Sequence, residues 1–369
     1  MKYPAFIKPG DTIGLVAPSF GAVIEPYATR LAAAIRRFEA RGYHVKTARS
    51  VYLSDGLGIS TNPKDAAKDV MDFYLDEEVD AVISVGGGEL MNETISHLDF
   101  DVLRQAKPKW YLGYSDNSHY LFPMAVLGGI AGIYGPCATG FGKEWEKTEL
   151  DAFSILEGKA CDFSGYDLYE RPDDDTRSEN PLAPYHLTEE TCLRIFLPSN
   201  GKMVPYEEVS SAERKKELPS DGGIHIEGML LGGCLDVLIN LSGTRYDGTK
   251  EFLAAEGKPV IWFLEACDLS PLSIRRAVWH LRNCGWFENA AGFLIGRPLA
   301  AYGVDMMGVN QYNAVADVLE DLQLPIVMDA PFGHVPPMMP LILGSHADVY
   351  ADPHHFRVVM KCGAEEHGF

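Results

Sequence analysis

Nucleophilic chemistry needs an exposed nucleophile, a base within reach of it and a group that orients the base. In KWYLGYSDNSHYLF an apolar strand runs into the sharp turn Gly113-Tyr114-Ser115-Asp116, and a helix is expected from about Asn117. A serine raised on such a strand-to-helix turn exposes its Oγ, while the helix N-terminus offers backbone N–H groups and positive potential to a developing oxyanion. The spacing departs from G-x-S-x-G at its last position, which is Asn117. Taken alone, a serine in this place is more often a helix N-cap.

A serine acting near neutral pH needs a base, and the chain has eleven histidines. His44 opens a strand, His97 and His280 fall in helical patterns, and His354 and His355 lie in a polar setting near the C-terminus. His334 stands apart in DAPFGHVPPMMPLILG, where four prolines exclude helix and stiffen the loop. A structural histidine holding a loop carbonyl is the alternative. The third group is expected at Glu265, which closes the apolar run PVIWFLE. A carboxylate there is costly to bury unpaired, so it calls for a partner such as an imidazole, unless it caps a turn in solvent.

Two further features suit a substrate. SVGGGELMNET is again strand, glycines, helix, and consecutive glycines allow a close backbone approach and make an anion site of N–H groups. It matches neither G-x-G-x-x-G nor the P-loop. Arg297, in GFLIGRP, is a candidate for a substrate carboxylate, with an internal ion pair as the alternative.

The elements that must carry these residues alternate. TIGLVA at 12–17 reads as a strand, 25–41 as a helix, HVKTA at 44–48 as a strand, 63–74 as a helix opened by Asn62, and AVISV at 81–85 and KWYL at 109–112 as strands with a helix after Gly88. Strand and helix in turn predict an α/β, doubly wound parallel sheet whose ligands sit beyond the carboxyl ends of the strands. The alternation stops after Tyr134-Gly135-Pro136 and resumes near Gly228. The expected organisation is an N-terminal domain over 1–140, a linker and polar excursion over 141–222, and a second α/β domain over 223–369. Asp173, Asp174 and Asp175 in the excursion read as a solvated loop rather than a cation site.

Composition narrows the function. The chain of 369 residues is 46% hydrophobic and carries 32 basic against 52 acidic residues, a net charge of −20. That balance repels phosphate backbones and anionic membrane surfaces, so neither nucleic acid nor membrane is an expected partner. The N-terminus has Pro, Gly and Asp where a signal peptide needs an apolar core, and no run of about 18 apolar residues occurs, so a cytoplasmic location is expected. Seven widely spread cysteines without a CxxC pair read as reduced packing thiols rather than a zinc site.

Several segments in order, PGDTIGLVAPS, EEVDAVISVGGGELMNETISHLDF, LGYSDNS, IYGP, GMLLGGCLDVLINLSGT, IWFLEA, GFLIGRP and FGHVPPMMPLILG, resemble the LD-carboxypeptidase family of serine peptidases, with IGRP and GHVPPM closer to its microcin C immunity branch. The resemblance implies a flavodoxin-like N-terminal domain, a smaller C-terminal α/β domain, a homodimer, no metal or cofactor, and a Ser, Glu, His triad at Ser115, Glu265 and His334. It also implies an oxyanion hole of the Gly88 and Asp116 backbone N–H groups. Cys234 stands where the family often has Asn, and GHVPPM lacks the branch's usual acidic residue. The implied function is an amidase acting on aminoacyl-nucleotide compounds. The alternatives are a carboxypeptidase releasing D-Ala from muropeptides and a non-catalytic binder of a phosphorylated small molecule.

Overall fold

A computed structural model describes residues 1–172, 180–209 and 223–363. Asp173, Asp174 and Asp175 lie outside the described residues.

The first half folds as the alternation requires. Strands β1 (Thr12–Val16), β2 (His44–Thr47), β3 (Ala81–Ser84), β4 (Trp110–Gly113) and β5 (Gly132–Tyr134) are all parallel, and β1, β3, β4 and β5 are almost wholly buried. A fully buried parallel strand has no solvent face to alternate with, so these read as continuous apolar runs. Helices Tyr27–Ala40 and Pro63–Leu75 cover the sheet; the latter starts on Asn62, whose side chain accepts the Asp65 N–H, with Pro63 in the first turn. After Gly88 the expected helix is a single turn, Met91–Thr94, followed by a 3₁₀ turn.

The stretch 141–222 departs from its expected role as linker. It contains the helix Lys147–Leu156 and the strands β6 (Asp162–Ser164), β7 (Leu168–Glu170), β8 (Leu187–Glu190), β9 (Arg194–Ser199) and β10 (Lys202–Pro205). β7 and β8 pair with each other, while β6, β9 and β10 join the second sheet. β6 and β10 are short strands at the two edges of that sheet, and β9, between β10 and β14, is only six residues long, so no extended periodicity marks them.

That second sheet is built on four parallel strands, β11 (Ile224–Cys234), β12 (Val260–Glu265), β13 (Ala290–Gly296) and β14 (Ile326–Ala330). With β15 (Leu341–Leu343), β16 (His346–Ala351) and β17 (Phe356–Met360) completing the strands, its order is β10-β9-β14-β13-β12-β11-β16-β17-β6, nine strands in all. β15 crosses over to the first sheet, which runs β15-β5-β4-β3-β1-β2, and pairs antiparallel with β5. Helix Ser118–Val126 is buried on every side and packs on both β5 and β11. A helix buried all round has no polar stripe, which accounts for SHYLFPMAV.

One cysteine expectation is corrected. Cys161 and Cys362 are joined as a disulfide, their Cα atoms 6.1 Å apart across 201 residues of sequence. The pairing of β6 with β17 brings them together, and spacing along the chain carries no trace of it. The other five cysteines are free thiols.

Candidate active site

Ser115 follows β4 after one intervening residue, Tyr114, and has φ of +61°, in the left-handed region that β-carbons disfavour. Such strain persists only where the surroundings hold it, and here they do. The neighbouring Asp116 is buried, and its carboxylate accepts from Ser19 Oγ at 2.5 Å and from the Met91 N–H at 2.9 Å, with His119 Nδ1 2.9 Å away. One carboxylate thus ties the turn to the loop after β1 and to the end of the glycine loop. Asn117 adds a second tie, donating to Gly86 O at 3.0 Å. The N-cap reading of Ser115 fails, because its Oγ is engaged elsewhere: His334 Nε2 lies 2.9 Å from it.

His334 sits in the loop after β14. Its Nδ1 is 2.8 Å from Glu265 Oε2, and Glu265 is 1% exposed at the end of β12. With the Nδ1 proton facing the carboxylate, Nε2 is left as acceptor for the Ser115 hydroxyl. Gly333 allows this approach: its φ is +102°, and a β-carbon there would stand 2.8 Å from Glu265 Oε2. The other carboxylate oxygen accepts from Tyr134, at the end of β5, and the same hydroxyl oxygen accepts the Ser115 N–H at 3.3 Å. Tyr134 therefore links the strained serine to the carboxylate across the two sheets. Cys234, paired in register with Glu265, closes the group from β11.

Burial raises the cost of charge throughout. It pushes the Glu265 pKa up, but His334, Tyr134 and Cys234 outweigh it and leave the carboxyl below its ordinary range. For His334 burial works against the imidazolium, yet Glu265 and Cys267 hold its pKa well above the ordinary value.

Two cavities meet at Tyr114 and His334. One, of about 420 Å³, is lined by Ser115, the glycine loop, Phe20, Ile24, Cys267 and Glu89. The other, of about 540 Å³, contains Arg30, Lys143, Thr148 and Tyr185. Lys143 is paired with Glu146 and Glu149. Glu89 has no hydrogen-bond or ion-pair partner among the described residues; partial burial, then Asp268, Asp116 and Asp236, hold its carboxyl above the usual range.

Ser115, Glu265 and His334 thus converge, and the glycine loop faces them. Gly87 stands closest, since a β-carbon there would lie 3.2 Å from Ser115 Oγ and 3.7 Å from Asp116 N. The Gly87 carbonyl accepts from Phe20 N–H at 3.1 Å, which leaves the Gly88 N–H on the opposite side of the same planar peptide. Arg297 is not brought to either cavity. It is 2% exposed inside the second domain, 4.0 Å over the Tyr169 ring, and donates to Thr191 Oγ1 at 3.1 Å. Tyr134, Cys267 and Glu89 were not singled out in the sequence. Tyr134 ends a buried strand in IYGP just as Glu265 ends IWFLE, and that strand-end position was the available signal; the other two carry none.

Residues 13–135 match the LD-carboxypeptidase N-terminal domain and residues 227–349 the LD-carboxypeptidase C-terminal domain. The chain is 22% identical over 363 residues to a Vibrio cholerae protein named provisionally as a carboxypeptidase, with 97% of this chain and 98% of the relative covered. It is 23% identical over 344 residues to the microcin C7 self-immunity protein MccF of Escherichia coli, covering 91% and 89%. A solved structure of MccF in complex with glutamyl sulfamoyl guanosine superposes with a TM-score of 0.76 at 18% identity, over 99% of this chain and all of the other.

Proposed function

The chain belongs to the LD-carboxypeptidase family of serine peptidases, and from that premise we propose that it hydrolyses an amide bond through an acyl-enzyme, as an immunity-type amidase acting on aminoacyl-nucleotide compounds. The observation that carries the reading is the unbroken chain from Ser115 Oγ through His334 to Glu265, with a strained serine at its head. His334 Nε2 takes the proton from Ser115 Oγ as that oxygen bonds to the scissile carbonyl carbon. Glu265 holds the imidazole and stabilises the imidazolium that forms. The carbonyl oxygen, now an oxyanion, faces the Gly88 and Asp116 N–H groups; Asp116 is in the first turn of a helix, where N–H groups have no intrahelical acceptor. His334 then protonates the departing amine, and water, deprotonated by the same imidazole, releases the acyl group.

MccF is described in complex with aminoacyl sulfamoyl nucleosides, which supports the nucleotide reading. Release of D-Ala from a muropeptide is the second reading, supported by the relatives named as carboxypeptidases. Incubating the protein with aspartyl sulfamoyl adenosine and with a muropeptide tetrapeptide ending in D-Ala, and following products by mass spectrometry, separates them. Cleavage of the nucleotide compound alone is expected; release of D-Ala alone overturns the immunity reading in favour of the carboxypeptidase, and cleavage of neither overturns both.

Glu89 adds a requirement on the substrate. Among the described residues it is the one acidic side chain lining the cavity that holds Ser115, and the repulsion of Asp268, Asp116 and Asp236 on it outweighs the attraction of His334. A substrate ammonium group is the complement that this wall lacks. Glu89→Gln is expected to raise KM about two- to fivefold for a substrate with a free amine, the scale of an exposed ion pair, with kcat little changed. An N-acetylated analogue should show no such difference; if it does, Glu89 acts through folding and not through charge.

A further inference from the structure

Cys234 Sγ, a carboxylate oxygen of Glu265 and a ring nitrogen of His334 all lie within 4.8 Å of one another. We propose that these three side chains form an inhibitory site for a thiophilic divalent cation such as Zn²⁺, whose binding takes the base away from Ser115.

Strand register builds the site. Cys234 on β11 and Glu265 on β12 are direct neighbours in a parallel pair, so their side chains leave the sheet on the same face, and Gly333 lets the His334 loop close over them. Cys234 and Glu265 are each 1% exposed, which removes competing water, while His334 lies at the junction of the two cavities and gives a cation its way in. Cys267, two residues beyond Glu265, packs against the His334 ring from the cavity side and offers a second thiol along that path.

The ligand set selects the ion. Thiolate and imidazole favour zinc over magnesium or calcium, which prefer all-oxygen ligands. Tetrahedral zinc takes sulfur at about 2.3 Å and imidazole nitrogen or carboxylate oxygen at about 2.0–2.2 Å, so its ligands stand roughly 3.4–3.7 Å apart. Reaching that from 4.8 Å needs only small side-chain rotations. On binding, the Cys234 thiol gives its proton to water. His334 changes tautomer: its single ring proton leaves Nδ1, which coordinates the ion, and Nε2 takes up a proton in its place, so the imidazole stays neutral. Nε2 then points an N–H at Ser115 and accepts nothing, so metal occupancy and proton abstraction exclude each other.

Cobalt(II) added to the reduced, metal-free full-length protein is the direct test, because a cobalt–thiolate bond has its own near-ultraviolet absorption. One equivalent should give that band, Zn²⁺ should displace it, hydrolysis should fall in step with zinc occupancy, and a chelator should restore it. Cys234→Ser should abolish the band and raise the half-inhibiting zinc concentration by more than roughly 10- to 100-fold, the loss seen even for outer-shell partners. His334→Ala, which keeps the thiol, should weaken cobalt binding by a similar factor and covers the case where Cys234→Ser does not fold. A band that survives in Cys234→Ser, cobalt binding that is not weakened in His334→Ala, or zinc inhibition unchanged in Cys234→Ser overturns the site and assigns the metal to another thiol. The binding signal is independent of turnover: a cobalt band without hydrolysis sinks the hydrolase reading alone, and hydrolysis without a band sinks the metal site alone.

Discussion

Ser115→Ala is expected to lower turnover by roughly 10⁴- to 10⁶-fold, the range over which triad nucleophiles act. Alanine removes the hydroxyl that lies 2.9 Å from His334 Nε2 and leaves the Asp116, Asn117 and Tyr134 ties in place. The fold should therefore persist, with a thermal midpoint close to that of the parent. A fluorophosphonate probe supplies a second readout, since it reacts only with an activated serine. Labelling should occur once per chain, at Ser115, and disappear in both Ser115→Ala and His334→Ala. Turnover that survives Ser115→Ala sinks the acyl-enzyme mechanism. A protein that is never labelled and never turns over is the non-catalytic binder of a phosphorylated molecule, with the glycine loop as its anion site.

Glu265→Gln should cost about 10⁴-fold in kcat, because an amide keeps the shape but can neither neutralise the imidazolium nor enforce the Nδ1–H tautomer. The pH profile gives a finer test. Activity needs the neutral imidazole, so the rate rises with pH through the His334 pKa. Glu265 holds that pKa well above the ordinary imidazole value, which puts the rising limb of kcat/KM on the alkaline side of about 6.5. Removing the carboxylate charge should move the residual limb to lower pH. Stability follows the same sign. A histidine whose folded pKa is raised contributes fully below its unfolded value near 6.5, and that contribution is lost as pH rises through the raised pKa. Glu265, with its pKa depressed, contributes above about 4.3 and loses that contribution as pH falls through its folded value. The difference in thermal midpoint between parent and variant should therefore be largest between roughly pH 4.3 and 6.5 and narrow above it. A limb that stays in place in the variant would show that Glu265 does not govern His334.

How far the site was legible depends on how local each signal was. Ser115 was visible because a strand-to-helix turn is written in adjacent residues, Glu265 because a carboxylate after five apolar residues has an evident cost, and His334 because proline stiffens its loop. Arg297 closes a strand in the same manner, yet its strand end is covered by Tyr169 and Thr191 from the stretch 141–222. The edge strands in that stretch are short and half-exposed, so neither their existence nor their covering of Arg297 had a pattern to be read from.

Local chemistry along the chain thus determined the parallel α/β alternation, the turn that lifts Ser115, and the three residue types suited to nucleophilic attack. Tertiary structure alone decided that Ser115 and His334, 219 positions apart, stand 2.9 Å from each other. It decided that Tyr134 in one sheet holds Glu265 in the other, that Cys234 lies beside Glu265 by strand register, and that Cys161 meets Cys362. The reason is physical: periodicity and turn chemistry act over a few residues and specify elements, whereas the meeting of strand ends from two sheets is set by how buried faces pack, which no short stretch of sequence encodes.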